Sequence, residues 1–150
     1  NVDPQPDAVG IDATARHVFV TTLGTNRVTM LDAQSGAVLR VIPVGVRPMV
    51  VAVDTRTHRA FIGNDVDGSV TILDSVTGAV AGTVAVGQDP TDAAVDERTG
   101  RAFIVNLSGA TARPTLWDRL GCRVERLFNK WCTYGPTFSR GSVSMLDAAR

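Results

Sequence analysis

An all-β fold built from one repeated four-stranded antiparallel unit is what the 150 residues predict, on three observations. First, residues recur 42 positions apart: Pro6, Pro48 and Pro90; Asp12, Asp54 and Asp96; Phe19, Phe61 and Phe103. Second, each period alternates short runs of valine, isoleucine, threonine and phenylalanine with turn chemistry, the composition that β-strands and tight turns favour. Third, no helical pattern recurs within the period. Four strands in about 42 residues is the spacing of a β-propeller blade.

The second unit reads most clearly. Its strands are Met49–Asp54, Arg59–Asn64, Ser69–Asp74 and Ala79–Val86. They are separated by Thr57-His58, Asp67-Gly68 and Thr77-Gly78, with Gly87 and Pro90 leading into the next unit. Asp32 and Asp74, Gly36 and Gly78, and Gly45 and Gly87 keep the same period. The units therefore cover about 4–45, 46–87 and 88–150. The third is interrupted: Asp147 follows Asp74 by 73 residues, so 31 more than one period lie between them. The third unit also stops before its fourth strand.

Thr25-Asn-Arg-Val-Thr-Met-Leu-Asp32 with Ser35-Gly36 and Val41-Ile-Pro-Val-Gly45 resembles the YVTN-type (YncE-like) β-propeller repeat. Ser69-Val-Thr-Ile-Leu-Asp74 with Thr77-Gly78 and Ala85-Val-Gly87 repeats that pattern, and Ser142-Val-Ser-Met-Leu-Asp147 gives half of it. The resemblance spans roughly residues 5–110 and 141–150. It implies a secreted, periplasmic or cell-surface binding protein. It is specific for fold and nearly silent on activity, because one scaffold serves many functions. Rings of this kind usually have about seven blades, and three cannot close one. The open faces would invite association. The chain is therefore expected to be part of a longer propeller or to complete a ring with another chain. It opens on Asn1 with no charged-then-apolar leader, so any signal peptide is expected outside it.

Residues 111–140 differ from the rest. They hold five of the eight aromatic residues, both cysteines and the only lysine. Six basic residues oppose two acids there, so the segment carries +4 and the remainder −4 beneath a net charge of zero. At 100° per residue, Leu116, Trp117, Leu120, Val124, Leu127, Phe128 and Trp131 fall within an arc of about 120°. Thr115 and Asp118 match a capping box, and Gly135-Pro136 supplies a stop. The spacing predicts an amphipathic helix at about 116–132. Its plainer role is to pack the apolar face on the blades. Its functional role would use Arg119, Arg123, Arg126 and Lys130 along one flank to steer an acidic protein, a small anionic ligand or an anionic lipid surface. Trp117, Phe128, Trp131 and Tyr134 would be the apolar anchors. Cys122 and Cys132 would stand about 15 Å apart on an intact helix, and whether they bond is left open.

Elsewhere the residues offer little chemistry. Asp7, Asp89 and Asp92 lie near the start of inner strands and are candidate acids at a channel entry. Asn64-Asp-Val-Asp-Gly68 superficially resembles a cation loop but reads more simply as a hairpin turn. Asp12, Asp54 and Asp96 follow the first strand, and Asp32, Asp74 and Asp147 end the third. Recurrence in every unit argues for turn-building there. His17 and His58 read as equivalent surface-turn residues without a serine or cysteine nearby in sequence. No phosphate loop, paired catalytic carboxylates or metal-ligand spacing occurs. No cofactor, metal or nucleic-acid partner is expected. No apolar run approaches the ~18 residues of a membrane span. The leading expectation is a non-catalytic ligand- or protein-binding platform. The alternatives are a wall or lid of a lactonase-like or quinone- or metal-dependent dehydrogenase-like propeller enzyme, and a purely structural envelope repeat.

Overall fold

The computed structural model describes residues 4–108, the backbone of 133–134, and 141–147. These residues form three four-stranded antiparallel sheets and no helix. The first sheet is β1 (Pro6–Asp12), β2 (His17–Thr22), β3 (Arg27–Asp32) and β4 (Val38–Pro43), in that order. The second is β5 (Pro48–Asp54), β6 (Arg59–Asn64), β7 (Ser69–Asp74) and β8 (Val80–Ala85). The third contains β9 (Gln88–Asp96), β10 (Arg101–Ser108), β11 (Thr133–Tyr134) and β12 (Ser142–Asp147).

The period governs the irregularities as well as the strands. Pairing of β1 with β2 and of β5 with β6 slips just after Pro6 and Pro48, and pairing of β9 with β10 slips just after Pro90. Proline brings no N–H to a ladder, so a bulge beside it leaves no donor stranded. The last turn residue before the second strand is left-handed in all three units: Arg16, His58 and Gly100, with φ of 58°, 53° and 72°. Only Gly100 adopts that backbone without a Cβ penalty. His17 is therefore not the equivalent of His58. It opens β2, and Arg16 takes the matching turn position.

The turns follow the aspartates. Asp32 Oδ1 accepts from Gln34 and Ser35 N–H, and Asp74 Oδ1 from Val76 and Thr77 N–H. Asp12, Asp54 and Asp96 likewise accept from backbone N–H two residues on. A short carboxylate that closes its own turn explains their recurrence.

The sheets pack face to face through two apolar layers. Phe19, Val28, Met30 and Ile42 of the first sheet meet Ala60, Ile62 and Leu73 of the second. Phe61, Val70 and Ile72 of the second meet Ala102, Ile104 and Leu146 of the third. The second sheet gives alternate residues to opposite neighbours, Phe61, Val70 and Ile72 to the third and Ala60, Ile62 and Leu73 to the first, as the period-2 geometry of a strand requires. Gly10 marks the closeness of the first layer: a Cβ there would lie 2.4 Å from Val51 Cγ1.

The third sheet departs from the other two. Its order is β11-β12-β10-β9, so the outer edge is occupied. The expected vacancy of the fourth strand is thus corrected. Thr133 pairs with Leu146 and Tyr134 with Met145, which places a piece of the insertion where β4 and β8 lie in their own sheets. That strand precedes in sequence the one it flanks.

Candidate functional site

Two ends of the sheets carry polar side chains. At one end lie the β2–β3, β4–β5, β6–β7 and β8–β9 loops, and β10 ends there at Ser108, so the insertion leaves from this rim. Val44 N–H donates to Asn26 O at 3.0 Å, Arg47 N–H to Asn26 Oδ1 at 3.1 Å and Asp65 N–H to Arg47 O at 3.0 Å. Val86 N–H repeats the tie to Gly68 O at 2.8 Å. The half-exposed Arg47 guanidinium pairs with the buried Asp65 carboxylate. Asp67 Oδ2 accepts from Val46 N–H at 2.6 Å. The acids of the suspected cation loop are therefore taken up by turn and ion-pair contacts. Among the described residues no group of three histidine, cysteine or acidic side chains could hold a metal.

Gly45 is pressed against this framework. A Cβ on it would lie 2.6 Å from Asn64 Cγ and Nδ2 and from Asp67 Oδ2. Asn64 is buried, with its Nδ2 donating to Ser69 and Thr71 hydroxyls, so it has little room to yield. Gly45→Ala should lower the unfolding free energy by about 1–3 kcal/mol, read from chemical denaturation.

Of the candidate channel acids, Asp7 and Asp92 are exposed on β1 and β9. Asp89 is half-buried and accepts the Ser108 hydroxyl at 2.9 Å, which ties the root of the insertion to the loop rim. Asp92 Oδ1 accepts its neighbour Ala93 N–H. The predicted helix, the side chains of Trp117, Arg119, Arg123, Arg126, Phe128, Lys130, Trp131 and Tyr134, and both cysteines lie outside the described residues. Tyr134 enters only through its backbone in β11.

At the opposite end the fold gathers residues that sequence distance had hidden. Asp12 is fully buried. Its Oδ2 accepts the Ser75 hydroxyl at 2.5 Å and His58 Nδ1–H at 3.0 Å, both from the next blade. His17 Nδ1–H donates to Ser75 O at 2.8 Å. His58 is therefore more than a surface-turn residue, and a serine does lie beside both histidines. This is not a nucleophilic triad. Serine and histidine both donate to one carboxylate oxygen, so the serine hydroxyl faces a weakly basic carboxylate and no imidazole nitrogen that could take its proton. The cluster latches two blades together. The one available signal was departure from the repeat: His58 stands where Arg16 and Gly100 stand, and Ser75 where Ala33 stands.

Burial pushes the Asp12 carboxyl up. Hydrogen bonds from Ala15 N–H, the Ser75 and Thr14 hydroxyls and His58 outweigh that and hold it far below the usual range. The Ser35 hydroxyl and N–H depress Asp32, and the Thr99 hydroxyl depresses Asp96. Asp74 is raised by burial and lowered further by Thr77 and Val76. A carboxyl depressed in the fold adds stability above its unfolded value of about 3.9, and that stability fades as pH falls toward the folded value. The urea midpoint should therefore drop between pH 5 and pH 2.5, and a flat profile across that window would contradict it.

No family model matches the chain, and no curated protein matches it. Solved structures do. A chain of hydrazine synthase from Kuenenia stuttgartiensis matches at 20% identity with a TM-score of 0.64, over 69% of this chain and 29% of that one. The RRP9 WD40 repeats match at 13% and 0.63, over 70% and 33%. The β-propeller domain of Cps50 (Swd1) from Myceliophteria thermophila matches at 9% and 0.58, over 71% and 34%. At these identities the likeness is one of fold: the three sheets are propeller-like blades. The chain spans about a third of the length of each of these structures.

Proposed function

We propose that the chain is a propeller segment acting as a non-catalytic binding platform, with the rim that bears residues 111–140 as its contact face and an acidic protein surface as its partner. The anchored root of the insertion carries this reading. Ser108 is held by Asp89, and on the same rim the loops of the first two blades are cross-tied through Asn26, Arg47 and Asp67. Those ties fix the point from which the +4 segment leaves the fold. Aromatic and arginine residues are the types that binding hot spots favour. The repeat further suggests a YVTN-type, extracytoplasmic protein. Among the described residues, the one serine–histidine–aspartate gathering is spent on joining blades, which weighs against a catalytic role for this part.

The test is fluorescence anisotropy with a labelled 20-residue polyglutamate peptide at low salt. The R119E/R123E/R126E/K130E variant should bind at least tenfold more weakly than the wild type, with an unchanged thermal midpoint. Equal binding by the two proteins would sink the proposal. Preference for phosphatidylglycerol vesicles over the peptide would move the surface to a membrane role.

A further inference from the structure

The two outermost blade faces are the two halves of an interface that the chain already makes twice. Toward the third sheet, the second sheet presents Phe61, Val70 and Ile72. One period later, Phe103 and Val143 stand on the corresponding face of the third sheet, but they are 37% and 42% exposed. Val105 and Leu107 extend the strip, at 42% and 64%. Register makes it continuous, since Val105 pairs with Val143 and Phe103 with Met145. The receiving face is present too. In the second and third sheets, Val51, Val53, Ala93 and Val95 pack partly buried against the preceding blade. Their first-sheet equivalents, Val9 and Ile11, are 63% and 54% exposed.

The polar contacts at the latch end follow the same logic. Asp12 takes His58 from the next blade. Its equivalent in the third sheet is Asp96, part-exposed, whose Oδ2 accepts the Thr99 hydroxyl at 2.8 Å and stands 4.0 Å from the Arg98 guanidinium. The equivalent of His58 in the first sheet is Arg16, which is exposed and left-handed like His58. Arg56 Nε donates to Glu97 O across the second boundary. The equivalent pair is Arg98, with a side chain 87% exposed, and the carbonyl of Ala13.

We infer that this chain binds a second copy of itself head to tail, the first blade of one copy seated on the third blade of the other, with Arg16 of the second copy paired to Asp96. The contact repeats the two internal ones in apolar composition and replaces the histidine–aspartate latch with an arginine–aspartate ion pair. Such an interface is heterologous, so it closes into a ring if the rotation per copy permits and otherwise grows.

The experiment is sedimentation velocity over a hundredfold concentration range with the full chain and four variants. The wild type should shift from one copy to larger species as concentration rises. Ile11→Asp and Phe103→Asp should each stay monomeric, and both substitutions lie on exposed positions where near-ultraviolet circular dichroism should report an intact fold. Mixed one to one, they should form a dimer and nothing larger, because each retains the face that the other lacks. Asp96→Arg should weaken association at least fivefold, and the added Arg16→Asp should restore it. A monomer at every wild-type concentration overturns the inference and leaves the face to residues 109–140, to further blades or to another protein. A mixture that stays monomeric, or dimers lost in only one of the two aspartate variants, overturns it equally by excluding the head-to-tail arrangement.

Discussion

Phe61→Ala should lower the unfolding free energy by about 3–5 kcal/mol, whereas Phe103→Ala in the dilute monomer should lower it by less than ~1 kcal/mol. The two residues occupy one repeat position and differ in surroundings alone. Phe61 is fully buried between Val70 and Ile72 of its own sheet and the Ala102, Ile104 and Leu146 layer of the next. Truncating it removes the transfer free energy of a ring and leaves a cavity that paired strands on both sides cannot collapse. Phe103 faces outward on the third sheet, so its truncation leaves little void. Phe19, fully buried in the first layer, should behave like Phe61. Guanidinium denaturation of the three variants at micromolar concentration checks the contrast. Equal losses at Phe61 and Phe103 would mean that the third blade's outer face is already covered.

Asp12→Asn should destabilise the chain by about 2–4 kcal/mol, and Asp54→Asn by under ~1 kcal/mol. Both aspartates are fully buried and both cap their own turn through Oδ1. Only Asp12 uses its second oxygen, for Ser75 and His58. Among the described residues, the Oδ2 of Asp54 is buried without a hydrogen-bond partner. An amide at position 12 weakens two charge-assisted bonds, each worth roughly 1.5–3 kcal/mol when its acceptor is ionised. An amide at position 54 keeps the turn-capping oxygen and removes a buried charge that lacks full compensation. A double-mutant cycle of Asp12→Asn with Ser75→Ala should show coupling of at least ~1 kcal/mol, and additive losses would refute a shared latch.

These contrasts show where a sequence speaks and where it does not. Strands β6 and β7 were readable to the residue, because valine–isoleucine runs between Thr57-His58, Asp67-Gly68 and Thr77-Gly78 leave little freedom in register. The turn aspartates were readable because their partners lie two or three residues away. The latch was not: Asp12 reaches His58 and Ser75 across 46 and 63 residues, and only the packing of two sheets brings them together. The Arg47–Asp65 pair was hidden in the same way, since it joins a loop between blades to a hairpin within one. Strand β11 escaped for another reason. Two residues carry no periodicity, and those around them follow a helical pattern. The candidate contact residues of the insertion are legible as chemistry, whereas the ties along the rim that its root leaves from, Ser108 to Asp89 and Arg47 to Asp65, became visible only in three dimensions.

The sequence order of the third sheet also shapes how it is made. In the other two sheets, each strand meets a neighbour that has just left the ribosome, so hairpins can form locally within microseconds. Strand β12 instead pairs with β10, matching Ser142 to Asn106 and Asp147 to Arg101. On its other side it pairs with Thr133 and Tyr134, which are synthesised before it. It must slot between two strands already waiting, closing a loop of more than thirty residues as it does so. Loop closure of that span is the slow, non-local kind of event, so the third blade should close more slowly than the other two once its strands are made.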